Sequence, residues 1–212
     1  MINIIKESCV QTLDEALKAE KNGANRIELC SRLDLDGLTP NRELIIKVSS
    51  RIKIPIKVMI RPRAGDFNYT DQEINQMKDD ILFCKSLCVF GVVFGMLNKN
   101  KSINIEATRA LSDIAAGLDV TFHKAIDRVV SIFSELDRLK KNAKISSVLT
   151  SGCANNAKSG NVVIKKMIDS VGDRMTIIPA GSITKNNLNE IHSIIGAKEY
   201  HGRKIVDISK SN

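Results

Sequence analysis

The chain has no tryptophan, and aromatic residues make up only 4% of it. Stacking platforms for bases are therefore scarce, which argues against a nucleic-acid partner. No apolar run approaches the ~20 residues of a membrane span. The opening stretch MINIIKES is too short to act as a secretory signal. The expectation is a cytoplasmic chain with no membrane partner. Nowhere do five or six like charges follow one another, and there is no basic tail. The five cysteines are odd in number and scattered. They read as reduced thiols rather than a disulfide scaffold, and their spacing fits no zinc framework.

What is present is an ordinary globular composition. Of 212 residues, 43% are hydrophobic and 26% charged, enough to bury a substantial core and to exclude wholesale disorder. No linker or low-complexity segment divides the chain, so residues 1–212 read as a single domain. Lys and Arg total 32 against 24 Asp and Glu, a net charge of +8. Because these bases are interleaved with acids, they describe a basic surface better than a nucleic-acid footprint.

Helix and strand signals alternate. Thr12 to Glu15 and Thr70 to Glu73 are capping boxes. Leu13, Ala16 and Leu17 are expected on one face of the first helix. Thr39-Pro40 reads as a cap followed by a proline in the first turn. Ile74, Met77, Ile81, Cys84 and Cys88 form one apolar stripe, so Cys84 and Cys88 read as core rather than as a metal pair. Similar stripes run through Ile132, Leu136 and Leu139, through Ile164, Ile168 and Val171, and through Leu188, Ile191 and Ile195. Thr184 reads as an ordinary helix cap. Short apolar runs lie at 4–10, 26–30, 56–61, 91–94, 120–123, 147–150, 175–179 and 199–201. Eight strands alternating with about seven helices predict an α/β fold, a (β/α)8 TIM barrel. An open doubly wound sheet is the alternative. Only a few residues follow the last strand, so the eighth outer helix is expected to be short or absent.

Period-two alternation sorts the strand residues into two faces. It places Glu7 with Cys9, Arg26 with Glu28 and Cys30, Met59 with Arg61, Thr121 with His123, and Glu199 with His201 on the barrel interior. Any one of these ionisable groups alone reads as a structural ion pair. Together, near strand C-terminal ends, they read as a site. Arg61-Pro62-Arg63-Ala64-Gly65-Asp66 follows the third strand, and paired guanidiniums suit a carboxylate or phosphate. Ser151-Gly152 and Gly181-Ser182 follow the sixth and seventh strands, where such barrels often hold phosphate. Cys9, Cys30 and Cys153 are the cysteines placed for reactivity or a soft metal. His192 falls among helix residues and is expected to face solvent or cap a contact.

These residues also carry a resemblance. Gly23-Ala24-Asn25-Arg26-Ile27-Glu28-Leu29-Cys30, Gly37-Leu38-Thr39-Pro40 and Ile60 to Phe67 resemble the CutC family. So do Val120 to Asp127, Val148 to Gly152 and His201-Gly202. Asn25 stands where the family commonly has an acid, and Ala64 where it has glycine. Longer members continue with a further loop and a final helix. The resemblance implies a (β/α)8 barrel, a cytoplasmic location and a tie to copper homeostasis. It marks Glu7, Glu28, Arg61, Arg63, Asp66, His123, Asp127 and His201 as matching polar positions.

Two functional expectations follow. In the first, copper is bound by Cys30, His123 and His201, with Met59 and Cys153 as further soft donors. In the alternative, an isomerase- or lyase-type enzyme acts on a small anionic or phosphorylated substrate. Glu28, His123 and Asp127 would be its catalytic groups. Glu7, Arg61, Arg63, Asp66, Ser151, Gly152, Gly181 and Ser182 would hold the substrate. The expected partners are that anion or a copper ion, and a second copy of the chain in a homodimer or higher homo-oligomer.

Overall fold

The computed structural model describes residues 4–87 and 89–209. Eight parallel strands form the sheet: β1 (Ile5–Val10), β2 (Arg26–Leu29), β3 (Ile56–Met59), β4 (Gly91–Phe94), β5 (Asp119–Phe122), β6 (Ser147–Thr150), β7 (Thr176–Pro179) and β8 (Glu199–Gly202). Seven α-helices alternate with them: α1 (Leu13–Lys21), α2 (Arg42–Ser49), α3 (Asp71–Ser86), α4 (Ile105–Ile114), α5 (Ile132–Asn142), α6 (Asn161–Val171) and α7 (Leu188–Ile195). The ladder runs from β7 through β1 to β8, so β1 and β8 pair and the sheet curls into a barrel. The seam lies between β7 and β8, bridged above the strands by Lys185 N–H donating to the Lys204 carbonyl at 2.8 Å. No helix follows β8 among the described residues; Ile205 and Val206 pack into the core instead. None of the described helices is long and apolar enough to cross a membrane.

The main apolar core is the annulus between sheet and helices. Met77, Ile81 and Cys84 on α3, Leu136 and Leu139 on α5, and Ile164 and Val171 on α6 are buried there, as the stripes predict. Cys88, expected on the α3 stripe, lies outside the described residues. Leu17 does not share the inward face of α1. It is exposed, while Ala16 and Ala19 face inward.

Thr70 and Glu73 form the full capping box of α3. In α1 the box is incomplete, because Glu15 reaches back to the amide of Gln11 rather than that of Thr12. The α2 cap is Asn41, not Thr39. The Thr39 hydroxyl instead accepts from the Arg61 amide at 2.8 Å, joining the β2–α2 loop to the end of β3. Thr184 is not a cap either, since α7 begins four residues later. α4, which no capping box announces, is capped by Asn104 accepting from the Ala107 amide.

The barrel interior is polar at its base. Arg26 pairs with Glu7 and Glu199 across three adjacent strands. Lys57 reaches across to Asp119 at 2.6 Å, Thr121 at 2.7 Å and Ser147 at 3.3 Å. Burying a charge is costly, and pairing of this kind offsets the cost. Lys57 lies on the same strand face as Met59 and Arg61, so the period-two count carried one step back would have found it.

Candidate functional site

The strand C-terminal ends open into a cavity of about 670 Å³. At one side of its floor, Cys9 and Cys30 bring their sulfurs to 3.6 Å. Cys30 Sγ also lies 3.4 Å from Glu28 Oε2. His201 Nε2 is 3.6 Å from the same oxygen, and its Nδ1 is 2.9 Å from Glu7 Oε1. Parallel register brings these groups together, because Glu7 stands opposite both Arg26 and His201, and Cys9 opposite Glu28.

The charges in this cluster are set by one another. The hydrogen bond from Cys30 outweighs burial and, with His201, draws the Cys9 thiol down to about 5. Burial pushes Glu28 up to about 8, reinforced by the Cys9 and Glu7 charges against that of His201. Against burial, Glu28, Cys9 and Glu7 hold His201 well above the ordinary imidazole range. Against its own burial, the His201 hydrogen bond and the Arg26 charge keep Glu7 well below the ordinary carboxylate range. The cluster thus favours charge on Cys9 and His201 and disfavours it on Glu28. The second oxygen of Glu28, Oε1, is buried with no hydrogen-bond partner among the described residues.

The adjoining wall is built by the ends of β3 and β5. Arg61 is only 3% exposed. Its guanidinium donates to the carbonyls of Leu35 at 2.8 Å, Gly37 at 3.0 Å and Gly65 at 3.2 Å, and to no carboxylate among the described residues. The Phe67 ring packs against both Arg61 and His123, 5.0 Å from the guanidinium and 4.9 Å from the imidazole. His123 Nδ1 accepts from the Ala125 amide at 3.2 Å, which leaves the ring proton on Nε2. Gly95 makes room for this ring, because a Cβ there would come within 2.6 Å of His123 Nδ1.

Burial, aided by the Arg61 charge, drives His123 down from 6.5 to about 3. The folded value lies below the unfolded one, so between these two pH values the unfolded chain holds a proton that the folded chain lacks. Stability contributed by neutral His123 is thus lost as pH falls through that window, by at most ~1.4 kcal/mol per pH unit. In an NMR titration the His123 Hε1 shift should stay flat down to about pH 4. A midpoint near 6.5 would contradict the burial argument.

Several expected residues lie elsewhere. Arg63 does not face the cavity; it pairs with Glu73 and Asp66 and donates to the Asn68 carbonyl. Asp66 is consumed in that pairing. Glu7 does not line the cavity either, being fully buried beneath His201. Asp127 reaches the cavity, but its oxygens already accept from Thr150 Oγ1, Ser151 N and Oγ, and Cys153 N. It positions the loop after β6 and has no free oxygen for proton transfer. Gly152 turns away from the cavity and packs against Gly160. Burial, with Asp127 nearby, raises the Cys153 thiol rather than activating it. His123 stands with Arg61 and is absent from both groups of clustered metal donors, which are Cys9, Glu28 and Cys30, and Glu7, Glu28 and His201. Ser151, Gly181 and Ser182 do line the cavity, and the amides of Gly181 and Ser182 donate to no group among the described residues. His192 caps a contact, 3.1 Å from the Tyr200 hydroxyl. Cys9, Met59 and Phe67 complete the walls.

Comparison with known proteins agrees with this architecture. The CutC family profile matches residues 4–206. The human copper homeostasis protein cutC homolog is 41% identical over 197 residues, covering 93% of this chain and 72% of that protein. A family protein CutC from Parabacteroides distasonis is 37% identical over 198 residues, covering 93% and 81%. The crystal structure of the CutC protein from Streptococcus agalactiae superposes with a TM-score of 0.90 at 30% identity, covering 96% of this chain and all of that one.

Proposed function

The chain belongs to the CutC family, and from that premise we propose that it serves copper homeostasis by binding copper(I) at the Cys9–Cys30 pair. The observation that carries this reading is the approach of the two sulfurs to 3.6 Å on the cavity floor. Soft thiolates select copper(I), whereas carboxylates suit harder ions. Cys9 is already held as a thiolate, so the ligand is prepared before the metal arrives. Met59 packs in the same small cluster as both cysteines and offers a thioether. His201 and Glu28 border the pair. A cytoplasmic location goes with this reading, because its reducing poise keeps both thiols free.

Titration of the reduced protein with copper(I), against a chromophoric chelator, should give one tightly bound ion per chain. Cys9→Ser and Cys30→Ser should each weaken it by roughly 100-fold or more, at least the loss seen when a ligand's support is removed. Because Cys30 must lose its proton on binding, affinity should weaken as pH falls through the neutral range, and more steeply below about 5, where Cys9 is protonated as well. Unchanged stoichiometry in the double variant would overturn the proposal.

A further inference from the structure

Beyond the cysteines and Met59, the cavity wall carries chemistry of another kind. We propose that Arg61 and His123 form a binding site for a small organic oxyanion, the carboxylate or phosphate group of a soluble metabolite.

The argument starts from an uncompensated charge. Arg61 is almost fully buried, yet its guanidinium donates only to carbonyls and otherwise faces the Phe67 ring. Carbonyls satisfy individual N–H groups and orient the side chain, but they do not cancel a full positive charge. Buried cations elsewhere in this barrel do have acids: Arg26 has Glu7 and Glu199, and Lys57 has Asp119. Arg61 is therefore the exception, and a buried charge without a counter-charge is costly unless something binds there.

A second observation is independent of charge. Arg61 Nε and His123 Nε2 are both buried and both lack a hydrogen-bond partner among the described residues. Arg61 Nε is a donor at any accessible pH. His123 Nε2 is a donor because Nδ1 is used as an acceptor. Both unfilled donors belong to residues that pack on the Phe67 ring and line one cavity. An occupant must therefore present acceptors, and an oxyanion presents them together with the missing charge.

The site is also held in advance. Three carbonyl contacts fix the guanidinium, the Ala125 amide fixes the imidazole, and Gly95 leaves the space the ring occupies. A ligand thus meets donors that need little ordering. The cavity rim favours the same sign of ligand, since Lys124, Arg128, Arg203 and Lys204 all line it. The free amides of Gly181 and Ser182 supply further donors on that rim.

The test uses the reduced full chain and three probes, inorganic phosphate, glycerol 3-phosphate and malonate, followed by calorimetry and NMR. Saturable binding of at least one probe at one site per chain is expected, and the preferred probe separates phosphate from carboxylate recognition. Arg61→Met should weaken it by roughly 10- to 100-fold, the worth of a hydrogen bond to a charged group. His123→Phe should weaken it by a smaller factor, and Cys9→Ser should leave it unchanged. Copper(I) stoichiometry should be the same in Arg61→Met as in the parent, which separates this site from the thiol pair. Should Arg61→Met not fold, the parent protein decides the matter. Probe-induced shifts at the His123 ring support the site, and shifts confined to Arg203 and Lys204 overturn it. No binding of any probe, or unweakened binding in a folded Arg61→Met variant, overturns it as well.

Discussion

Arg26→Met should lose about 3–5 kcal/mol of stability at neutral pH, the usual cost of removing one partner from a buried ion pair. Arg26 is the shared partner of Glu7 and Glu199, and Glu7 is fully buried. Methionine fills most of the volume, so the loss is electrostatic rather than a cavity effect. The effect has a pH signature. The folded value of Glu7 lies below its unfolded value of 4.5, so its stabilisation is present above that pH and lost as pH falls towards the folded value. The difference between parent and variant should therefore shrink in acid. Adding Glu7→Gln to Arg26→Met should recover part of the loss, because it removes the stranded anion. Urea unfolding at pH 7 and near pH 4 measures both effects. A loss below about 1 kcal/mol at pH 7, the scale of an exposed ion pair, would show that the pair is not buried as described.

Gly160→Ala should lower the melting temperature by about 5–10 °C, given roughly 2–4 °C per kcal/mol for a domain of this size. This runs against propensity. Gly160 has a φ of −88°, a conformation open to alanine, and replacing such a glycine ordinarily stabilises by up to ~1 kcal/mol. Here the added Cβ would fall 1.9 Å from the Ser151 carbonyl oxygen and 3.0 Å from the Gly152 Cα. Both are backbone atoms, and they cannot retreat, because Asp127 grips the same loop through Ser151 and Cys153. The strain should match or exceed the ~1–3 kcal/mol of an overpacked core. The loop after β6 would shift at the cavity rim, so weaker oxyanion binding should accompany the lower melting temperature. A melting temperature equal to or above that of the parent would show that the loop can yield.

Much of the architecture can be read without the coordinates. Predicted strand boundaries agree with those observed to within a residue or two, because each strand is a short apolar run ended by a turn residue or helix signal. The inward faces of β1, β2, β3, β5 and β8 follow from period two alone. The helix stripes follow from the 3.6-residue repeat, with Leu17 as the exception: α1 buries its small alanines and leaves the leucine outside. Thr39 looks like a cap in the sequence, but the end of β3 takes its hydroxyl, and nothing local reveals that competition.

The site divides differently. Arg61 and Arg63 are two positions apart and chemically identical. One ends in a cavity with no counter-charge, and the other is neutralised by Glu73 at the start of α3. Asp127 looks as reactive in the sequence as Glu28, yet four donors from the β6 loop occupy it while Glu28 keeps an oxygen free. The Cys9–Cys30 approach and the separation of His123 from His201 are equally invisible along the chain. By itself the sequence determined the eight strands and seven helices, their inward faces and the set of polar side chains offered to the barrel axis. Those depend on neighbours a few residues apart, through periodicity, caps and turns. Only the tertiary structure decided which of those groups are spent on one another and which remain open. That choice depends on strand register and loop docking, contacts such as Glu7 with His201 that join opposite ends of the chain.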